Sequence, residues 1–491
     1  MTDNSTDPKH LDTLDRDLGR FANLEKATSF VSRPAVAPGI AVVFIALAGL
    51  IAALFFGQTS NSSLIIIVAA CLGAYMALNI GANDVANNMG PAVGANALTM
   101  GGAIAIAAVF ESAGALLAGG DVVSTIAKGI IEPESMGTAN VFVWAIMAAL
   151  MSAAHWVNLA TWVGAPVSTT HSVVGGVMGA GIAAAGFAAV NWGTMSKIAA
   201  SWVISPVLGG LIAAAFLWLI KSRIIYQDDK IAAARKWVPI LVGIMAAAFA
   251  SYLALKGLKK IIKIDIVTSL MIGAGIGLAI WFVMIPVIRK QSEGLENRNK
   301  SLKVLFGIPL VVSAALLSFA HGANDVANAV GPLAAIVQAS QSGDFTQAVS
   351  IPLWVMVIGA LGISFGLFLF GPKLIRMVGS QITKLNPMRA YCVALSAAIT
   401  VIVASWLGLP VSSTHIAVGG VFGVGFFREW DAERRIRKAR LAMPERTQYP
   451  PEERARRKLV RRSHVLTILA AWVITVPAAV SYTHLTLPTK A

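Results

Sequence analysis

Two short polar motifs, each present twice, hold the residue types that could do chemistry in this sequence. Residues 81–91 read GANDVANNMGP and residues 322–332 read GANDVANAVGP, so Asn83, Asp84 and Asn87 recur as Asn324, Asp325 and Asn328 directly behind an apolar run. An ionisable group at bilayer depth costs on the order of 3 kcal/mol even on permissive insertion scales, so Asp84 and Asp325 need a partner if these runs cross a membrane. Neither motif contains Lys or Arg. A bound cation or a proton is the natural substitute, because hard alkali ions take oxygen ligands of the kind that carboxylates, Asn carbonyls and freed backbone carbonyls supply. The structural alternative is that these residues cap broken helices and hydrogen-bond across the bundle.

The second pair is residues 164–181, GAPVSTTHSVVGGVMGAG, and residues 408–425, GLPVSSTHIAVGGVFGVG. A helix breaker, consecutive hydroxyls and a Gly-rich apolar stretch predict a helix start, with Pro166 and Pro410 in the first turn and Ser168 and Ser412 as caps. Exposed amides with the positive end of the dipole behind them form an anion site. Ser168, Thr169, Thr170, Ser412, Ser413 and Thr414 add neutral donors suited to a tetrahedral oxyanion, although such clusters also serve as interhelical glue. His171 and His415 close the motifs as packing residues or proton carriers. His321 has no histidine counterpart at Ile80 and is secondary; Glu111, beside Ser112 and near Gly114, is a second cation ligand or an interfacial charge.

The elements that must position these residues are membrane helices. Of 491 residues 56% are hydrophobic and 13% charged, with 44 Gly, and the mean hydropathy is +0.72; soluble domains do not have this balance. Apolar runs near 20 residues at 40–56, 267–288 and 351–370 fit the length of a membrane-crossing helix, and the segments lack the ten-residue alternation of a membrane barrel. Nearly half of the formal charge of +15 lies in residues 428–462, which carry 13 Lys/Arg against 6 Asp/Glu. No nucleic-acid motif accompanies them, so they mark the cytoplasmic side rather than a nucleic-acid partner. Cys71 and Cys392 stand far apart in apolar segments and form neither a metal cluster nor a disulfide. No nucleophile is paired with an activating base, so no enzyme activity is expected.

The two motifs begin 83 residues apart in the first half and 86 in the second, and SWVIS at Ser201 echoes AWVIT at Ala471. The chain is duplicated. The helix holding Trp202 runs into a basic loop at Lys221, whereas that holding Trp472 leaves the basic loop ending at Arg462. With both loops cytoplasmic the repeats are inverted, the arrangement that builds a transport site at the midplane; Lys256, Lys259, Lys260 and Lys263 then fall outside, against the charge rule. The fold is expected to be all-α and polytopic, with about a dozen transmembrane helices in two inverted repeats containing broken or re-entrant helices. The expected organisation is a cytoplasmic tail at 1–37, an extra helix at 38–57 and repeat 1 at 62–220. Basic loops and two connecting helices fill 221–303, and repeat 2 occupies 304–480 with its basic loop at 428–462. Residues 481–491 read as an atypical, non-native tail.

On these paired motifs the chain resembles the inorganic phosphate transporter (PiT) family, over about residues 62–480. The resemblance implies a symporter of inorganic phosphate coupled to Na⁺ or H⁺, working by alternating access in the inner or plasma membrane with a cytoplasmic N-terminus, often as a homodimer, with no cofactor. It carries the binding role to Asn83, Asp84, Asn324 and Asp325 on the cation side, with Na⁺ candidates at Asp84 and Asp325. Asn87, Asn328 and the six Ser/Thr residues fall on the phosphate side, and Glu111, His171 and His415 are secondary. Sulfate or another tetrahedral oxyanion is the alternative substrate, and an ion channel the more distant one. Ala329 replaces Asn88 in the second copy, so the two sites differ.

Overall fold

The computed structural model describes residues 36–56, 63–165, 167–257, 264–343, 351–381, 385–442, 470 and 473–483. Pro166, the lysines at 259, 260 and 263, the Ala471–Trp472 echo, nearly all of the N-terminal tail, the distal basic loop at 443–462 and residues 484–491 lie outside the described residues.

Apolar runs become helices here because a backbone in hydrocarbon must satisfy its own hydrogen bonds. In the first half these are α1 (Val36–Phe56), α2 (Ser63–Asn83), α3 (Val85–Gly94), α4 (Met100–Ala118), α5 (Ala139–Val163), α6 (Thr169–Ala185) and α7 (Trp192–Ile220). Then follow α8 (Lys230–Lys256) and α9 (Ile266–Gln291). The second half contributes α10 (Gly307–Asp325), α11 (Ala327–Ser342), α12 (Leu353–Gln381), α13 (Pro387–Trp406) and α14 (Ser413–Ala442), ending in the short α15 (Val473–Thr483). Among the described residues no strand forms beyond one isolated bridge, Ile131 to Val190, and ten helical stretches are long and apolar enough to cross a membrane. Large apolar side chains such as Leu54, Trp162, Val203 and Phe282 point outward, which a lipid surround favours and water does not. The chain is a multi-pass membrane protein.

The interruptions in the GAND helices are narrower than freed backbone carbonyls would require. Between α2 and α3 only Asp84 leaves the helix, and its carbonyl accepts from the Asn87 amide at 3.0 Å and from Asn87 Nδ2 at 3.2 Å. Between α10 and α11 only Val326 does so. Local tightening to i→i+3 bonding keeps the backbone satisfied through the break.

The first Gly of each motif has a packing reason. A side chain on Gly81 would strike the Ile363 carbonyl of α12, and one on Gly322 the Glu111 carbonyl of α4. Reciprocally, Gly366 of α12 lies against Leu78, and Gly114 of α4 against Phe319. Each polar helix therefore seats backbone to backbone on a helix from the opposite half, the close approach small residues permit in membranes.

The extramembrane ends are tied by charge. Lys256, on the face where a cation was unexpected, pairs with Asp121 at 2.5 Å. At the other end Asp431 on α14 accepts from Lys221 Nζ at 2.7 Å and the Tyr226 hydroxyl at 2.5 Å. Burial pushes the Asp431 carboxyl up, but the hydrogen bonds from Lys221 and Tyr226 outweigh it and hold the group below the usual carboxylate range. Burial and the adjacent carboxylate push the Tyr226 hydroxyl up to about 12, so it stays a donor.

A polar cluster shared by the two halves, the candidate functional site

Two helix starts face each other at the centre. Ser168 caps α6 by accepting from the His171 amide at 3.1 Å, and Ser412 caps α14 by accepting from the His415 amide at 3.3 Å. Pro410 stands ahead of the Ser412 cap rather than in the first turn, because α14 begins only at Ser413. Each cap satisfies one of the four orphan amides of a helix start and leaves the others for a further acceptor.

Asn83 and Asn324 fix the loop ahead of each start, and they do so identically. Asn83 Nδ2 donates to Thr161 Oγ1 at 2.9 Å and to the Ala165 carbonyl at 3.3 Å, while its Oδ1 accepts from Val167 N at 3.3 Å. Asn324 Nδ2 donates to Ser405 Oγ at 2.9 Å and to the Leu409 carbonyl at 3.2 Å, and its Oδ1 accepts from Val411 N at 3.3 Å. Both amides are thus engaged in positioning. Sequence reading missed Thr161 and Ser405; their signal was a hydroxyl at the end of the helix before each Gly-Xaa-Pro loop.

The carboxylates bind hydroxyls from both halves. Asp84 Oδ2 accepts from Thr169 at 2.5 Å, and its Oδ1 from Thr414 at 3.1 Å. Asp325 Oδ2 accepts from Ser413 at 3.0 Å. The second Asn of each motif crosses over: Asn87 Nδ2 donates to Thr414 Oγ1 at 2.8 Å, and Asn328 Nδ2 to Thr170 Oγ1 at 3.2 Å and Thr169 Oγ1 at 3.4 Å. Thr170 in turn donates to the Val411 carbonyl at 3.0 Å. The structure therefore brings all twelve motif residues into one buried cluster.

His321, expected to be secondary, lies at its centre. Its Nε2 is 2.8 Å from Asp325 Oδ2 and 3.9 Å from Asp84 Oδ2, and its Nδ1 is 3.2 Å from Glu111 Oε1. Ligand-type atoms of Asp84, His321 and Asp325 lie within 4.8 Å of one another. The i,i+4 spacing of His321 and Asp325 on α10 was the available signal. Glu111 is fully buried and belongs to the cluster, not to an interface, with Asn88 Nδ2 donating to its Oε1 at 3.0 Å. His171 and His415 lie with ring centroids 4.4 Å apart and planes tilted by 37°, and His171 meets Trp202 edge-on at 3.8 Å.

The cluster holds buried oxygens that no donor reaches. Asn88 Oδ1, Glu111 Oε2, Asp325 Oδ1 and Asn328 Oδ1 are buried oxygens without a hydrogen-bond partner. Buried acceptors left without donors are costly, and a cation among them removes that cost.

A model of the phosphate transporter family matches residues 80–483, which span both motif pairs. The chain belongs to the phosphate transporter family. It is 52% identical over 416 residues to a Helicobacter pylori (strain J99) protein provisionally named a phosphate permease, covering 84% of this chain and 78% of the relative. It is 35% identical over 501 residues, 95% of this chain and 80% of the relative, to the Arabidopsis thaliana inorganic phosphate transporter 2-1, chloroplastic. Among solved structures, "The sodium-dependent phosphate transporter" superposes with a TM-score of 0.76 at 36% identity, covering 86% of this chain and 98% of that one. In this family member every residue of the central cluster falls within the matched span.

Proposed function

We propose that this chain is a Na⁺-coupled symporter of inorganic phosphate, with its two halves inverted in an inner or plasma membrane and its N-terminus and basic loops in the cytoplasm. Asp84 and Asp325, joined by the free lone pairs of Asn83 and Asn324, hold the cations. The amides and hydroxyls of residues 168–170 and 412–414, with Asn87 and Asn328, hold the oxyanion. The observation that carries this reading is the set of hydroxyl-to-carboxylate hydrogen bonds from Thr169, Thr414 and Ser413.

Those bonds suggest how coupling works. While the carboxylates are bare, the hydroxyls are committed to them. A cation that takes over the negative charge releases the hydroxyls, which then turn their protons to phosphate. Phosphate binding thereby waits for the cation. The need is energetic: a phosphate dianion entering a cell that is negative inside is opposed by about 4.6 kcal/mol per 100 mV, and two monovalent cations cancel that. A proton in place of Na⁺ is the second reading, favoured by the 2.8 Å approach of His321 to Asp325; sulfate is the second anion. No catalytic step is assigned.

Uptake of radiolabelled phosphate into proteoliposomes under imposed Na⁺ or H⁺ gradients, competed with sulfate and arsenate, tests this. Accumulation driven by Na⁺ and blocked by arsenate but not sulfate is expected. Equilibration that ignores both cation gradients would overturn the symport reading.

A further inference from the structure

Helices α7 and α14 line an apolar groove of about 660 Å³ that contains none of the carboxylates of the central cluster and is within the size range of ligand-holding clefts. Its floor exists because Gly210 of α7 and Gly419 and Gly423 of α14 bring the two backbones together; a side chain on Gly423 would strike the Gly210 carbonyl. On α14 the lining residues Gly419, Phe422, Gly423, Phe426, Phe427 and Trp430 advance by threes and fours along one face. The next step on that stripe, four residues past Trp430, is Arg434. Its exposed guanidinium lies 5.2 Å from the Trp430 ring.

We infer that this groove binds an anionic phospholipid, with an acyl chain along the α14 stripe and the headgroup phosphate at Arg434. A cleft with these walls in a bilayer fills with hydrocarbon. Trp at its mouth marks headgroup depth, and a guanidinium fork matches phosphate oxygens geometrically. This end of α14 carries Arg428, Arg434, Arg435 and Arg437 against Glu429, Asp431 and Glu433, and Asp431 is already engaged by Lys221 and Tyr226; the small positive balance at Arg434 complements an anionic headgroup, whereas a zwitterionic one brings its own cation. At its inner end the groove reaches Trp202, whose Nε1 donates to the Pro410 carbonyl at 3.1 Å. The lipid chain thus touches a side chain that braces the α14 start.

The test uses the full chain in phosphatidylcholine nanodiscs containing either phosphatidylglycerol or phosphatidylcholine brominated on its acyl chains. The Trp430 signal is the fluorescence difference between the unaltered protein and Trp430→Phe. Brominated phosphatidylglycerol should quench that signal at about fivefold lower mole fraction than brominated phosphatidylcholine, the effect of one basic side chain near an anionic surface. Arg434→Gln should abolish the difference while leaving quenching itself intact. Equal quenching by the two lipids overturns the inference. So does a Trp430 signal shielded from both, which would mean that a second copy of the chain or another protein segment fills the groove.

Discussion

Replacing Asp84 with Asn removes one negative charge from the cluster and little else. Asp84 receives Thr169 at 2.5 Å and Thr414 at 3.1 Å. The amide keeps one of those acceptors, and either threonine hydroxyl can rotate to accept from the new NH₂, so both helix starts stay tied and the protein inserts normally. What disappears is the counter-charge for one cation. If the unaltered protein moves two cations with a phosphate dianion, its cycle carries no net charge. Asp84→Asn then moves one cation and a net charge of −1, opposed by about 2.3 kcal/mol per 100 mV, which is about 50-fold in the accumulation a fixed potential permits. Proteoliposome uptake measured while Na⁺ concentration and membrane potential are varied independently reads both effects. The order in Na⁺ should fall by one, and an inside-negative potential should become inhibitory. Undiminished uptake with the original Na⁺ order and voltage response would refute the assignment of a cation to Asp84.

Three further outcomes are expected. Gly322→Ala drives a methyl into the Glu111 backbone and should destabilise the folded protein by about 1–3 kcal/mol; Gly275→Ala, which meets nothing within 4 Å, should leave the thermal midpoint unmoved, and equal midpoints for the two would contradict the packing account. Ser412→Ala removes the cap on the His415 amide and should cost about 1 kcal/mol at the α14 start, read as a several-fold rise in the phosphate concentration for half-maximal uptake; an unchanged value would detach that helix start from phosphate binding. The Asp431 carboxyl sits below its ordinary range, so its contribution is fully present above the unfolded value and is lost as pH falls through the lowered one. Hydrogen exchange over residues 428–442 should therefore accelerate as the medium is acidified below the ordinary carboxyl range, and Asp431→Asn should show fast exchange at neutral pH with no such transition.

The duplicated motifs made most of the cluster legible, because a costly residue type repeated at matched spacing has few structural excuses. Local pattern also located α6 and α14, since Ser ahead of a Gly-rich apolar run is a capping signal. The parts that stayed hidden are those fixed by cross-chain geometry. Glu111 has no local partner, and the backbone contacts of Gly322 with the Glu111 carbonyl and of Gly114 with Phe319 bring it beside His321. His321 reads as an isolated histidine until α10 is seen to face Glu111, Asp84 and Asp325 together. Lys256 contradicts the charge rule in sequence, yet its pairing with Asp121 neutralises it locally. The width of the helix breaks was also unreadable, because a single non-helical residue needs no more Gly or Pro than a long unwound stretch.

The positions where the two copies differ make the two carboxylates unequal. Both oxygens of Asp84 hold hydroxyl donors, whereas Asp325 holds one and leaves Oδ1 without any. Asn88, which has Ala329 as its counterpart, donates to Glu111, and the Glu111–His321 contact reaches Asp325 more closely than Asp84. A hydrogen bond to a charged group is worth about 1.5–3 kcal/mol; a cation can take the open Oδ1 of Asp325 while Oδ2 keeps Ser413 and His321, 2.8 Å away, whereas at Asp84 it must displace a hydroxyl bond. The cations should therefore bind in sequence, Asp325 first, with affinities separated by roughly 10- to 150-fold. Sodium titration of phosphate uptake should resolve two phases, and Asp325→Asn should remove the tighter one. Loss of the weaker phase in that variant would mean that the donors on Asp84 are easily given up, and with them the proposal that released hydroxyls are what phosphate waits for.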